Sequence, residues 1–225
     1  MRIAVLCDFD GTITLQDMGI EILKEFSTAD WERIEEKFDQ GKVSILENMS
    51  EQFSHVPNPP HEVNEFVKRT AKIRPGWEEF IECCRGYNLH LAIVSGGLRS
   101  YIYSVLGKNL NIPVYSLVDD YVDGQWLLSL PSPFDRDGEV EFKEAVINYH
   151  RKQYDEIWFI GNGTSDRRAA EVADRVWALE PLLSYALSKG LKVHSFESFY
   201  DICTDFQKIL GGQILKEDEI DKVSL

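Results

Sequence analysis

The feature that most constrains this chain lies at its start. The run Ile3-Ala4-Val5-Leu6-Cys7 is apolar throughout and stops at Asp8-Phe9-Asp10-Gly11-Thr12-Ile13-Thr14. Such a run predicts a strand buried on both faces, and its end in two carboxylates and a glycine puts chemistry at the strand's tip. Side chains alternate along an extended chain, so Asp8 and Asp10 fall on one side and Phe9 on the other. Two carboxylates this close repel, and burying either without a partner costs free energy. A divalent cation or a catalytic role resolves that cost. Taken alone, the pair is equally compatible with a strand-end turn whose aspartates only solvate a loop, so the rest of the chain has to decide.

From Thr14 to about Ala71 the periodicity is helical only. Met18, Ile22 and Phe26 recur every four residues, followed by Trp31, Ile34 and Phe38, then Ile45, Met49 and Phe53, then Val63, Phe66 and Val67. Breakers at Ser27-Thr28, Gln40-Gly41-Lys42 and Pro57-Asn58-Pro59-Pro60 divide this stretch into four segments. The spacing predicts a small helical insert, 15–74, packed over the mouth of the strand it interrupts. The remainder, 1–14 and 75–225, predicts the main domain.

There, Leu89 to Val94 reads as a buried strand closing at Ser95-Gly96-Gly97 before a helix with Tyr101, Ile102 and Val105. A strand, a glycine turn and a helix form an anion-binding arrangement, because the first helical amides are free to donate. Val114 to Val122 and Gln125 to Leu130 read as a hairpin around Asp123-Gly124, and Phe142, Ala145, Val146 and Tyr149 line a helix bearing Lys143. Asp155 to Ile160 is another buried strand, ending in Gly161-Asn162-Gly163-Thr164-Ser165-Asp166. An alanine-rich helix, two short strands and two further helices complete the pattern, and Gly211-Gly212-Gln213 reads as a linker into an acidic tail. Alternating strands and helices predict an α/β fold, a Rossmann-like parallel sheet covered by helices on both faces, with ligands beyond the carboxyl ends of the strands.

The formal charge of -14 argues against a protein that grips nucleic acid or an anionic membrane. The adjacent basic pairs, Lys68-Arg69, Arg151-Lys152 and Arg167-Arg168, read as exposed helix residues. No run approaches membrane-spanning length, and the chain enters its first strand without a signal-peptide pattern, so a cytoplasmic protein is expected. Cys7, Cys83, Cys84 and Cys203 lack C-x-x-C spacing and read as reduced packing residues, while the scattered histidines argue against zinc.

Paired carboxylates, a serine beside glycine amides, a lysine and a second acidic loop are what phosphoryl transfer needs, since its transition-state charge is held by cations and donors. In these motifs the chain resembles the haloacid dehalogenase superfamily of phosphatases. Asp8-Phe9-Asp10-Gly11-Thr12, Ser95-Gly96-Gly97, Lys143 and Gly161 to Asp166 follow that family's order and spacing. The helical insert is similar to the small cap of its phosphoserine phosphatase-like branch. The resemblance implies a Mg2+-dependent phosphatase acting on a small phosphorylated metabolite, as a monomer or homodimer. It implies Asp8 as nucleophile and Asp10 as acid and then base. It further implies Thr12, Ser95, Gly96 and Asp17 at the phosphate and substrate, and Lys143 offsetting the charge of Asp8 and phosphate. Magnesium falls to Asp8, the Asp10 carbonyl and Asn162, with Asp166 as support for the loop and Lys143. For Asp17, a helix N-terminal acid favoured by the helix dipole is an equal reading.

The family usually has aspartate where this chain has Asn162. An amide oxygen still ligates a hard cation but brings no charge, so weaker metal binding and slower turnover are expected. That asymmetry keeps open an alternative, a phosphate-ester-binding or regulatory protein with little turnover. On the cap, the arginine that grips a carboxylate in phosphoserine phosphatases has no counterpart: Ser50 stands near its place, and no arginine lies between Arg33 and Arg69. The texture of Asp8 to Thr14, of Ala71 to Gly76 and of Val94 to Gly97 is similar to methionine-salvage phosphatases that act on a hydroxyketo-methylthiopentenyl phosphate. Pro131-Ser132-Pro133-Phe134 stands where some of those carry a cysteine-rich segment.

Overall fold

A computed structural model describes residues 1–107, 111–134 and 141–211. The linker and tail read from Gly212 onward lie outside the described residues. Seven strands form one sheet: β1 (Ile3–Cys7), β2 (His90–Leu98), β3 (Val114–Val122), β4 (Gln125–Ser129), β5 (Glu156–Gly161), β6 (Arg175–Ala178) and β7 (Val193–Ser195). Their order is β4-β3-β2-β1-β5-β6-β7, parallel except for the β3/β4 hairpin. β1 therefore lies centrally, flanked by β2 and β5, where the strand order reverses and a crevice opens at the carboxyl ends.

The period of two in β1 sorts the core. Ile3, Val5 and Cys7 join the side chains of α5 (Trp77–Gly86) and α10 (Phe199–Leu210), while Ala4 and Leu6 join those of α7 (Phe142–His150), α8 (Arg167–Val172) and α9 (Leu182–Ser188). All five β1 residues are buried, which is why the strand reads as an unbroken apolar run. Among the described residues no helix is long and apolar enough to cross a membrane.

The insert region holds four helices: α1 (Met18–Phe26), α2 (Trp31–Asp39), α3 (Ile45–Phe53) and α4 (Pro60–Thr70). Asp17, Asp30 and Ser44 cap α1 to α3 with their side chains, Ser44 in a capping box with Glu47. The chain leaves and re-enters the sheet domain side by side. Leu15 N donates to Lys72 O at 2.8 Å and Arg74 N to Ile13 O at 2.8 Å. The β3/β4 hairpin props the helices from the far side: Trp126 packs edge-on against Phe53, and the Tyr121 hydroxyl donates to Pro57 O at 2.8 Å.

One element departs from the sequence pattern. β2 does not close before Ser95 but runs through Ser95-Gly96-Gly97 to Leu98, with a register shift against β3 between Val94 and Leu98. The glycines permit this, because a Cβ at Gly97 would overlap the Tyr101 hydroxyl and the Asp10 carboxylate. α6 (Arg99–Leu106) starts only afterwards. The expected glycine turn into a helix start is thus replaced by the backbone of an irregular strand end, whose Gly96 and Gly97 line the crevice.

Candidate active site

Asp8 follows β1 directly, and its N–H donates to Ile160 O at 2.9 Å, which fixes the strand tip against β5. Asp8 falls on the same parity as Ala4 and Leu6, hence toward α7. There Lys143 Nζ donates to Asp8 Oδ1 at 2.6 Å and to Asp166 Oδ1 at 2.6 Å. All three groups are buried, at 3%, 3% and 0% exposure for Asp8, Lys143 and Asp166. Burial and the charge of Asp166 push Asp8 up to about 7, against the pull of Lys143. The two carboxylates outweigh the burial of Lys143 and hold its ammonium above the ordinary lysine range.

Asp10 begins the turn after β1. Its Oδ1 accepts from Met18 N at 3.1 Å, and its Oδ2 accepts from the Tyr101 hydroxyl at 2.8 Å and the Ser95 hydroxyl at 3.2 Å. Burial first, then the charges of Asp17 and Asp8, raise Asp10 well above the usual carboxylate range. Gly97 N donates to Ser95 Oγ at 2.9 Å, which orients that hydroxyl toward Asp10. Gly11 has φ +71, and a Cβ there would overlap the Asn162 amide, so the turn and the loop after β5 approach as only glycine allows.

That loop is organised by Asp166, whose Oδ2 accepts from Asn162 N at 2.8 Å and Gly163 N at 2.9 Å. Asn162 Oδ1 lies 3.1 Å from Thr12 Oγ1, which is also 3.1 Å from Asp8 Oδ2. A hydroxyl carries one proton, so it serves only one of these two acceptors. The other oxygen lacks a donor, which is the place a hard cation fits. Among the described residues no three Asp, Glu, His or Cys side chains converge. The donor set that fits Mg2+ is therefore one carboxylate supplemented by neutral oxygens.

Together these groups line one face of a cavity of about 120 Å³ whose other face comes from α1 to α3. Asp8, Asp10, Gly96, Lys143 and Asn162 all reach it. Asp17 does too, while also capping α1 by accepting from Ile20 N at 3.0 Å, so both readings of that residue describe its position. Ser95, Thr12 and Asp166 stand behind the lining. Ser50 is absent from it, whereas Asn48 and Gln52 of the same helix are present.

The family model for haloacid dehalogenase-like hydrolases matches residues 5–171, a span holding Asp8, Asp10, Ser95, Lys143, Asn162 and Asp166. This chain belongs to that family. It is 31% identical over 219 residues to the 2-hydroxy-3-keto-5-methylthiopentenyl-1-phosphate phosphatase of Bacillus cereus, covering 95% of this chain and 100% of that protein. In fold it is similar to a phospho-aspartyl intermediate analogue of phosphoserine phosphatase, with TM-score 0.65, 20% identity and 91% and 98% of the two chains covered. It is likewise similar to the phosphoserine phosphatase of T. onnurineus, with TM-score 0.67, 18% identity and 92% and 95% covered.

In this hydrolase two site residues escape sequence reasoning. Tyr101 reads as one more member of an apolar helical stripe, although its hydroxyl reaches Asp10; the signal is a phenol that needs a partner once buried. Arg74 reads only as the end of the insert. Its Nε donates to Thr12 O at 2.8 Å and its Nη2 to Gly11 O at 2.9 Å, bracing the turn that carries Asp10.

Proposed function

We propose that this hydrolase is a Mg2+-dependent phosphomonoesterase that works through an aspartyl-phosphate on Asp8. The observation that carries the reading is the buried Asp8–Lys143–Asp166 chain at the tip of β1, with Asp10 beside it on the same wall of the cavity. An Asp8 oxygen attacks phosphorus as the ester oxygen leaves, and Asp10, whose hold on a proton is strengthened by burial, gives that oxygen its proton. Water then attacks phosphorus, Asp10 takes the proton back, and phosphate departs to regenerate the Asp8 carboxylate. Lys143 holds Asp8 in place and offsets charge, while the Gly96 amide receives a phosphoryl oxygen and Ser95 does so once its hydroxyl turns from Asp10. Asp8, the Asp10 carbonyl and Asn162 would hold magnesium, which would supply positive charge for the phosphoryl oxygens.

Residues 15–74 serve in this reading as a cap that closes over the ester and excludes water. The hydroxyketo-methylthiopentenyl phosphate named for the Bacillus relatives is the substrate we put first. Phe38, Ile45 and Met49 give the cap side of the cavity an apolar wall suited to a thioether tail, and no cationic clamp for a carboxylate lines it among the described residues. Hydrolysis of that ester and of phosphoserine should be followed with magnesium and with chelator, in this chain and in Asn162→Asp. Magnesium-dependent release of phosphate is expected, with metal affinity raised about tenfold in the variant by the added ligand charge. Tight binding of the esters with no turnover in either protein would favour the regulatory alternative suggested by Asn162.

A further inference from the structure

Across the cavity from Asp8 sits a second polar cluster, built from the cap helices alone. Glu35 lies on α2, Asn48 and Gln52 lie one turn apart on α3, and all three line the cavity. Asn48 and Gln52 are each 2% exposed. Asn48 Nδ2 and Gln52 Nε2 both donate to Glu35 Oε2, at 2.8 and 2.7 Å. A carboxylate offers these amides only acceptors, so it fixes their orientation: the NH2 groups point to Glu35 and the amide oxygens point elsewhere. Asn48 Oδ1 is left buried with no partner among the described residues. An unpaired buried acceptor is destabilising. On the wall of a ligand cavity, a donor from the ligand removes that cost.

The charges around this cluster point the same way. Among the described residues the one basic side chain lining the cavity is Lys143, and it is already bonded to Asp8 and Asp166. Toward the cap, the ionisable side chains are Asp17, Glu35 and Asp39. A carboxylate on the non-reacting end of a substrate finds no cation there.

We infer that Glu35, Asn48 and Gln52 form the specificity arm of this site, in which Asn48 Oδ1 accepts from a hydroxyl of an otherwise uncharged phosphomonoester and Glu35 turns away esters that carry a carboxylate. The inference rests on the phosphatase reading and deepens it. Asn48 is the contacting residue. Glu35 and Gln52 are positioning residues, and Glu35 also sets the sign of the local field.

Three probes separate these roles: dihydroxyacetone phosphate has a hydroxyl and no carboxylate, phosphoglycerate has both, and p-nitrophenyl phosphate has neither. With magnesium, the intact chain is expected to favour dihydroxyacetone phosphate over phosphoglycerate about a hundredfold in kcat/KM, since juxtaposed like charges cost several kcal/mol. Asn48→Leu is expected to lower the ratio of dihydroxyacetone phosphate to p-nitrophenyl phosphate about tenfold, chiefly through KM. Glu35→Gln keeps an acceptor for both amides, so it separates charge from geometry. It is expected to raise the ratio of phosphoglycerate to dihydroxyacetone phosphate about tenfold. Equal use of the two three-carbon esters by the intact chain overturns the inference, as does a parallel fall of kcat on all three probes in both variants. If the intact chain hydrolyses none of them, the phosphatase reading fails separately, and equilibrium titration of the same esters decides on the arm by the same ratios. Should Asn48→Leu fail to fold, the Glu35→Gln ratio decides alone.

Discussion

Two carboxylates face one cavity from opposite sides, and the fold keeps them in opposite ways. Asp8, on the sheet side, is bonded to the buried Lys143 ammonium, which is itself held by Asp166. Glu35, on the cap side, is half-buried and accepts only from the neutral amides of Asn48 and Gln52. Burial raises both above the usual carboxylate range, but for Asp8 a full positive charge opposes it and for Glu35 only amide dipoles do. The sheet side is thus arranged to hold and shift charge during chemistry. The cap side, in the inference above, would select a ligand through the amides of Asn48 and Gln52 and the charge of Glu35 without reacting with it.

The comparison breaks most readily at Asp8. Asp8→Asn is expected to lower kcat by about a thousandfold or more, as loss of a nucleophile does, in a steady-state phosphate-release assay. A loss under tenfold would remove the distinction between the two sides. Lys143→Met comes next: it leaves Asp8 and Asp166 buried without a cation and is expected to cost about 3–5 kcal/mol of folding stability. Chemical denaturation reads this, and Glu35→Gln on the cap side is expected to cost less than about 1 kcal/mol in the same assay. Similar losses for both would mean that the two sides are held alike. Tyr101→Phe removes one donor from Asp10 and is expected to lower kcat about tenfold while costing about 1 kcal/mol.

The smallest expected effect lies away from both clusters and serves as their control. His150 is buried at 3% exposure with Nδ1 on Val146 O at 2.9 Å, and its ring lies 5.4 Å from that of His90. Burial lowers both imidazoles below the ordinary histidine value, with His150 adding to the shift of His90. A group depressed in the folded state contributes stability that is present above its unfolded value, about 6.5, and lost as pH falls toward the folded one. Thermal midpoints measured from pH 7.5 down to about 5 should therefore fall less steeply in His150→Gln than in the parent. An unchanged slope would show that His150 takes no part in it.

Much of the fold is legible because buried parallel strands leave unbroken apolar runs and the cap helices leave stripes four residues apart. Asp8, Asp10, Lys143 and the Gly161 to Asp166 loop stand at the ends or starts of such elements, so their convergence follows from the topology once β1 is central. The end of β2 is not legible, since its two glycines signal a turn while their close neighbours, Tyr101 and Asp10, are visible only in three dimensions. The Glu35, Asn48 and Gln52 cluster is hidden for a related reason. Polar residues on an amphipathic helix read as its wet face, and only the packing of α2 and α3 over the cavity buries them.

The central claim is that phosphate passes through a covalent bond to Asp8. The direct measurement is an acid quench of the enzyme during turnover with magnesium, followed by mass spectrometry of the peptides. The expected result is a phosphoryl group on Asp8 that appears before phosphate release, decays as substrate is exhausted, and is absent from Asp8→Asn. Phosphate release with no phosphoryl-enzyme at any time, or a phosphoryl group on another residue, would contradict it.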